Sequence, residues 1–405
     1  MRVVFLAPAF PPEMIQYTRG LAEVGAEVYG VGDAPREALP QEVLCHLRDY
    51  LQVPRIFDED DVIERVAAWL RGRPVDRVLA NWEVLVQLAA RLRERFGMPG
   101  MTPDVVRGFR DKEVMKERLR NAGLRVPRSR RARTVSEVRA AVEEIGYPII
   151  LKPIAGAGSA DTYCIREPEG LDETLPRLRG VPEVSCEEYI EGDEFTFDTV
   201  CIGGKPAYEN ICQYLPKPIE ARSLEWVSPV VITVRDMYQW RLRPGVELGR
   251  KVLSALQMGD GFTHMEWFLT PRGEAIFGEI GCRPGGAHLV DQMNYTSDID
   301  LFREWARVVC WNKFEAPVER KYNVGIIFKR AQGRGRITRI EGLGDWLREA
   351  GPWAVEERLL RPGTPRRNWK QTLLSDGHLM VRHPDWAEAH RLALAAATGI
   401  RMFAG

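Results

Sequence analysis

The chain has 405 residues, too many for one ordinary hydrophobic core, so two or three domains are expected. Its hydrophobic share is 45% and its charged share 28%, both ordinary for a globular protein. Lysine plus arginine number 57 and aspartate plus glutamate 57, which argues against a nucleic-acid protein with its basic excess but leaves room for a locally basic pocket.

The first hundred residues alternate strand and helix patterns. Residues 3–6 (Val-Val-Phe-Leu) read as a buried strand, 13–24 as an amphipathic helix and 27–31 as a second strand. Residues 60–70 follow as a helix capped by Asp58 or Asp60, then a strand over 75–80 and a helix over 84–96. This alternation predicts an open parallel α/β sheet over residues 1–100. The turn after the first strand is Ala-Pro-Ala-Phe-Pro-Pro and lacks GxGxxG, so no dinucleotide is assigned to it. The apolar run at residues 3–7 is too short for a signal-peptide core, and no apolar stretch approaches a membrane span. The seven cysteines form no CxxC pair and are odd in number, which favours free, buried thiols in a reducing cytoplasm.

Pro99-Gly100 mark a boundary. Helices are expected over 112–121 and 136–145, the second with Ser136 as its cap and no full capping box. From Pro148 to about Arg283 the pattern is mostly strands and glycine turns. A last segment, 311–405, combines strands such as 323–328 with a helix over 386–397.

Three constellations carry chemistry. The first is a hairpin over 263–280 with its turn at Pro271-Arg272. Pairing Thr270 with Gly273 sets His264 opposite Glu279 and Glu266 opposite Phe277, so His264, Glu266 and Glu279 share one face. Diagonal neighbours of this kind sit about 7–8 Å apart. Either the hairpin is an edge with two solvated glutamates, or the pair grips a hard divalent cation that also binds substrate phosphates. A one-residue slip would part the two acids.

The second is Lys152, at the end of the apolar strand Pro148-Ile-Ile-Leu-Lys, followed by the glycine loop Gly156-Ala-Gly158-Ser159. Such a loop offers backbone N–H groups to phosphate oxygens, and the lysine adds a point charge. The third is Cys186-Glu-Glu-Tyr-Ile-Glu-Gly-Asp-Glu194, which reads either as a solvated acidic turn or as a hinge presenting backbone groups to a purine and a carboxylate to ribose.

In this order, Arg110-Asp-Lys-Glu-Val-Met-Lys, Pro148-Ile-Ile-Leu-Lys-Pro with GAGS, Cys186-Glu-Glu-Tyr-Ile-Glu-Gly-Asp-Glu, Gly261-Phe-Thr-His-Met-Glu and Gly278-Glu-Ile-Gly-Cys-Arg-Pro-Gly-Gly resemble the ATP-grasp superfamily. The GxxHxE and ExxxRPGG forms look most like its carboxylate–amine ligase branch, with the L-amino-acid and dipeptide ligases. The resemblance implies an α/β and α+β protein. Its parts would be an N-terminal α/β domain (1–100), an ATP-grasp region (101–310) with a lid near 125–190, and a C-terminal α+β lobe (311–405).

The implied ligands are ATP and magnesium, with manganese as a substitute, and the implied partners are a small carboxylate and an amine. Neither nucleic acid nor membrane is expected, and a homodimer is usual among the proteins it resembles. Lys112 and Lys152 would contact ATP phosphates, with Gly156, Gly158 and Ser159 closing as a lid. Glu187 and Ile190 would frame the adenine through backbone groups beside Glu188, and Glu194 would take the ribose hydroxyls. Glu266 and Glu279 would hold the metal, and Arg283 would face the substrate carboxylate or acyl phosphate. His264 would lie at the same edge, either assisting proton removal from the amine or serving the structure or the metal shell. Many members place asparagine two residues after the second glutamate as a further metal ligand; here Gly281 stands there. The expected activity is ADP-forming ligation of a carboxylate to an amine through an acyl phosphate. A bicarbonate-using carboxylase of the same superfamily and a non-catalytic ATP-binding regulator are the alternatives.

Overall fold

Near-continuous apolar strands followed by amphipathic helices build a parallel sheet at the N-terminus. In the computed structural model, which describes residues 1–154, 162–372 and 374–405, that sheet has the order Leu47–Gln52, Glu27–Gly32, Arg2–Leu6, Arg77–Leu79. The helices Met14–Glu23, Glu59–Trp69 and Val86–Phe96 pack with it. The strand Leu47–Gln52 carries no apolar run in sequence, because it is an edge and mostly half-exposed.

A small antiparallel sheet follows, ordered Ser129–Ala132, Val184–Glu188, Ile149–Pro153, Tyr163–Ile165. Helix Val135–Ile145 covers one face. Its cap is not Ser136 but Thr134, whose hydroxyl accepts from Glu137 N at 3.2 Å while the Glu137 carboxylate accepts from Thr134 N at 3.2 Å, a full capping box. Thr134→Ala is expected to lower stability by about 1 kcal/mol in urea unfolding, and an unchanged midpoint would contradict the box.

Among the described residues the largest sheet has nine strands and is antiparallel. Its order is Ala275–Gly281, Gly261–Leu269, Asp193–Ile202, Cys212–Leu215, Val230–Thr233, Asn323–Phe328, Gly377–His383, Ala354–Leu359, with Lys205–Asn210 also pairing Asp193–Ile202. Strands from beyond residue 311 therefore continue the same sheet that carries the hairpin. The helix Arg243–Ala255 was not foreseen, since Pro244, Gly245 and Gly249 depress its propensity. Those glycines let it press directly on Trp267 and Phe197. No helix among the described residues is long and apolar enough to cross a membrane.

Candidate active site

The hairpin Gly261–Leu269 / Ala275–Gly281 departs from the expected register twice. Thr270 N donates to Glu274 O at 2.9 Å, so three residues, Pro271-Arg272-Gly273, make the loop instead of two. Gly273 takes φ +80°, the left-handed conformation that closes a three-residue hairpin loop. This slips the pairing by one: Trp267 faces Phe277, Phe268 faces Ile276 and Leu269 faces Ala275. A β-bulge after Glu266 slips it by one more, so Glu266 faces Glu279 directly and His264 faces Gly281. Two slips in one direction restore parity, and the two carboxylates meet on one face, closer than the diagonal arrangement expected from sequence. The bulge needs glycine at 278, where a Cβ would lie 2.8 Å from Glu266 O.

Around this pair the chain builds an alternating array of charges. In the strand Ile149–Pro153, Ile149 and Leu151 are buried in the core of the small sheet, which turns Ile150 and Lys152 to the cavity. Glu187 pairs with Ile150 on the adjacent strand, diagonal to Lys152, and Lys152 Nζ lies 3.0 Å from Glu187 Oε2 and 3.6 Å from Glu279 Oε2. Lys112 opens the helix Lys112–Asn121, and its Nζ lies 2.9 Å from Glu279 Oε1. One turn further on, buried Lys116 pairs with the other oxygen of Glu187. The order is Lys116, Glu187, Lys152, Glu279, Lys112. Burial by itself pushes both glutamates up, but Lys116 and Lys152 hold Glu187 at about 2, and Lys112 and Lys152 hold Glu279 at about 2. Burial lowers the Lys152 ammonium and the two glutamates more than offset it, so its pKa lies above the ordinary lysine value.

The strand Asp193–Ile202 contributes Glu194, Thr196 and Asp198 to the same face as the carboxylate pair, where they lie opposite Phe268, Glu266 and His264. His264 Nδ1 is 2.6 Å from Asp198 Oδ1, and Nε2 is 3.8 Å from Glu266 Oε1. Burial favours the neutral imidazole, but Asp198 outweighs it and raises His264 to about 9. Tyr214 OH donates to Glu266 Oε1 at 3.2 Å. Burial, with Glu266 nearby, pushes the Glu194 carboxyl well up.

Arg283 is held by Glu83, on the 3-10 turn Glu83–Leu85 that follows strand Arg77–Leu79. Its Nε donates to Glu83 Oε2 at 2.6 Å and its Nη1 to Pro284 O at 2.7 Å, while Arg110 pairs with the other Glu83 oxygen. Burial raises the Glu83 carboxyl, and the two guanidiniums bring it below its ordinary value. A Cβ at Gly281 would lie 3.0 Å from Glu83 Oε2, so the place of the usual asparagine is occupied by this ion pair. Glu83→Gln is expected to loosen Arg283 and Arg110 and to lower stability by about 1–3 kcal/mol in urea unfolding. An unchanged midpoint would show that Glu83 does not hold the two arginines.

Lys112, Lys152, Glu187, Glu188, Ile190 and Glu194 line one cavity of about 270 Å³, and so do His264, Glu266, Glu279 and Arg283. The Glu187 side chain is engaged by lysines, and Glu188 is engaged by Arg125 at 3.0 Å and by the N–H of Arg128 at 3.0 Å. Gly156, Gly158 and Ser159 lie outside the described residues. Sequence reasoning missed Glu83, Lys116, Asp198 and Tyr214. Asp198 was within reach, because Glu-Phe-Thr-Phe-Asp at 194–198 alternates polar with aromatic residues and its polar face is the cavity face.

Two opposed carboxylates with oxygen donors only, in a cavity lined by lysines, fit a hard cation shared with phosphates. Among the described residues no cluster of three acidic, histidine or cysteine groups is preformed for a metal.

Residues 22–100 match the ATP-grasp N-terminal domain and residues 109–215 the ATP-grasp domain. The chain is 24% identical over 294 residues to an L-arginine-specific L-amino acid ligase of Bacillus subtilis, covering 71% of this chain and 70% of that one. It is 25% identical over 274 residues to an alanine–anticapsin ligase of the same species, covering 63% and 58%. Among solved structures, an L-amino acid ligase from Bacillus licheniformis superposes with a TM-score of 0.78 at 18% identity, over 100% of this chain and 99% of that one. An N5-carboxyaminoimidazole ribonucleotide synthetase from Thermotoga maritima follows with a TM-score of 0.71 at 18% identity, over 100% and 99%. The order of the sheets, the charged cavity between them and both domain matches lead to one conclusion: residues 22–100 and 109–215 form the ATP-grasp N-terminal and ATP-grasp domains.

Proposed function

We propose that the chain is an ADP-forming ligase that phosphorylates a small carboxylate with ATP and passes the acyl group to an amine. The observation that carries the reading is the array in which Lys112 and Lys152 converge on Glu279 opposite Glu266. Phosphoryl transfer asks a protein mainly for positioning and neutralised charge, and two lysines and an arginine in one buried cavity supply both.

Lys112 and Lys152 bind the ATP phosphates, with the loop at Gly156, Gly158 and Ser159 over them. The backbone of Glu187 and Ile190, beside Glu188, frames the adenine, and Glu194 takes the ribose hydroxyls. Glu187 and Lys116 hold Lys152 in place. Glu266 and Glu279 are the residues that would hold magnesium, which would supply charge neutralisation at the phosphates, and His264 with Tyr214 fixes the Glu266 carboxylate. Arg283 binds the substrate carboxylate. A carboxylate oxygen bonds to the γ-phosphorus as the bond to the ADP oxygen breaks. The neutral amine then attacks the acyl carbon, phosphate departs and the amine proton passes to solvent.

The same reading has the chain act in the cytoplasm as a homodimer, which light scattering after size exclusion tests. The decisive assay mixes the protein with ATP, magnesium and pooled amino acids and identifies the nucleotide product. ADP with phosphate and a condensed product is expected. Release of AMP and pyrophosphate, or ADP formation that needs bicarbonate and no amine, would overturn the proposal.

A further inference from the structure

The cavity continues beyond the lysines and carboxylates. Its far wall comes from three stretches remote in sequence: the loop after Leu215 with helix Pro218–Ser223, the end of strand Asn323–Phe328 with Arg330, and the segment carrying Trp369 and Thr372. Val230, Val231 and Phe328 give this end an apolar floor, and two guanidiniums stand on it. Arg330 stacks on Trp369, with Cζ 4.6 Å from the ring centroid, and its Nη1 donates to Ala221 O at 2.7 Å and Leu224 O at 2.8 Å. Arg222, from the last turn of the helix that Arg330 holds, donates Nη1 to Lys370 O at 3.2 Å.

Elsewhere in the cavity each of Lys112, Lys152 and Arg283 faces a carboxylate. Neighbouring Arg366 is paired too, with Glu225 at 2.6 Å. Among the described residues neither Arg222 nor Arg330 has a carboxylate within ion-pair distance; they meet backbone carbonyls, the Ser375 hydroxyl and the Trp369 ring. Burial lowers both guanidiniums, and Arg222 together with Arg366 adds to the effect on Arg330, which falls to about 10 although Glu225 and Asp376 oppose it. Like charges drawn out of water without a counter-ion are costly, and the cost is removed when an anion fills the space between them. The guanidinium fork matches a carboxylate in geometry.

We propose that Arg222 and Arg330 form a subsite for a second anionic group of the substrate, a carboxylate remote from the one that is phosphorylated. The inference rests on the ligase reading of this same cavity and names a substrate class for it. That carboxylate comes either from an amine substrate that is itself an amino acid or from the far end of a dicarboxylic acid donor.

The test follows ADP release and product masses for the full chain with ATP, magnesium and pooled amino acids. In one arm the amine partners are isotopically labelled amino acids or their α-amides. In the other, aspartate and glutamate are compared with asparagine and glutamine as donors. A preference of about tenfold or more in kcat/KM for the carboxylate form is expected in one arm, and the arm identifies the source. Arg222→Gln is expected to erase that preference through KM for that substrate, with KM for ATP nearly unchanged. This variant is chosen because Arg222 holds one backbone carbonyl, whereas Arg330 holds two and its loss endangers the loop. No preference in either arm, or a preference that survives in Arg222→Gln, overturns the subsite. If no pool yields ADP, the ligase reading fails, and the subsite is then judged by titrating the chain loaded with ADP and magnesium with glutarate. Saturable binding that Arg222→Gln abolishes supports it, and absence of binding overturns it.

Discussion

Lys152→Met is expected to lower kcat for ADP release by roughly 10²–10³ while the chain stays folded. The ammonium is the centre of the charge array, 3.0 Å from Glu187 and 3.6 Å from Glu279. Removing it leaves Lys116 on Glu187 and Lys112 on Glu279, so neither carboxylate becomes a buried orphan and the fold tolerates the change. What is lost, under the proposed function, is the positive charge that would face the transferring phosphoryl group from the small sheet. Circular dichroism should show native structure beside the collapsed rate. A variant that retains activity within about tenfold would remove Lys152 from the phosphate-binding role.

Gly278→Ala adds one methyl group and is expected to damage the site through the backbone of the hairpin. The new Cβ would meet Glu266 O at 2.8 Å, a backbone atom that cannot swing aside. The strand must either separate locally or give up its bulge. Without the bulge the pairing reverts by one residue and Glu279 turns to the opposite face from Glu266. The expected cost in stability is about 1–3 kcal/mol. The magnesium concentration for half-maximal activity, read with ADP release, should rise at least about tenfold. Native stability together with an unchanged magnesium requirement would show that the bulge does not set the carboxylate pair.

The hairpin shows what was legible and what was not. Alternation places His264 and Glu266 on one face from sequence alone, because side chains on a strand repeat every two residues, whereas Glu279 on the partner strand joins them only because two register slips cancel. The partner of each residue was misread twice, since loop length depends on Gly273 adopting φ +80° and the bulge depends on a close backbone contact at Gly278. Neither leaves a local pattern in the sequence. Thr134 differs: Thr134-Val-Ser-Glu137 is a local capping-box pattern, and only the spacing to Glu137 separates Thr134 from Ser136 as the cap.

The sequence by itself determined the alternation of strand and helix at the N-terminus, the polar and apolar faces of the central strands, and the types of residue that line the charged cavity. These are local properties, written in periodicities of two and about 3.6 residues. Tertiary structure alone decided the partners. Glu83 reaches Arg283 across 200 positions of sequence, Lys116 reaches Glu187 across 71, and Arg330 meets a helix 106–109 residues before it. Contacts of that range depend on how sheets stack and where a cavity opens between them. Burial then magnifies those few contacts, because a charge taken out of water must find its counterpart wherever in the chain it lies.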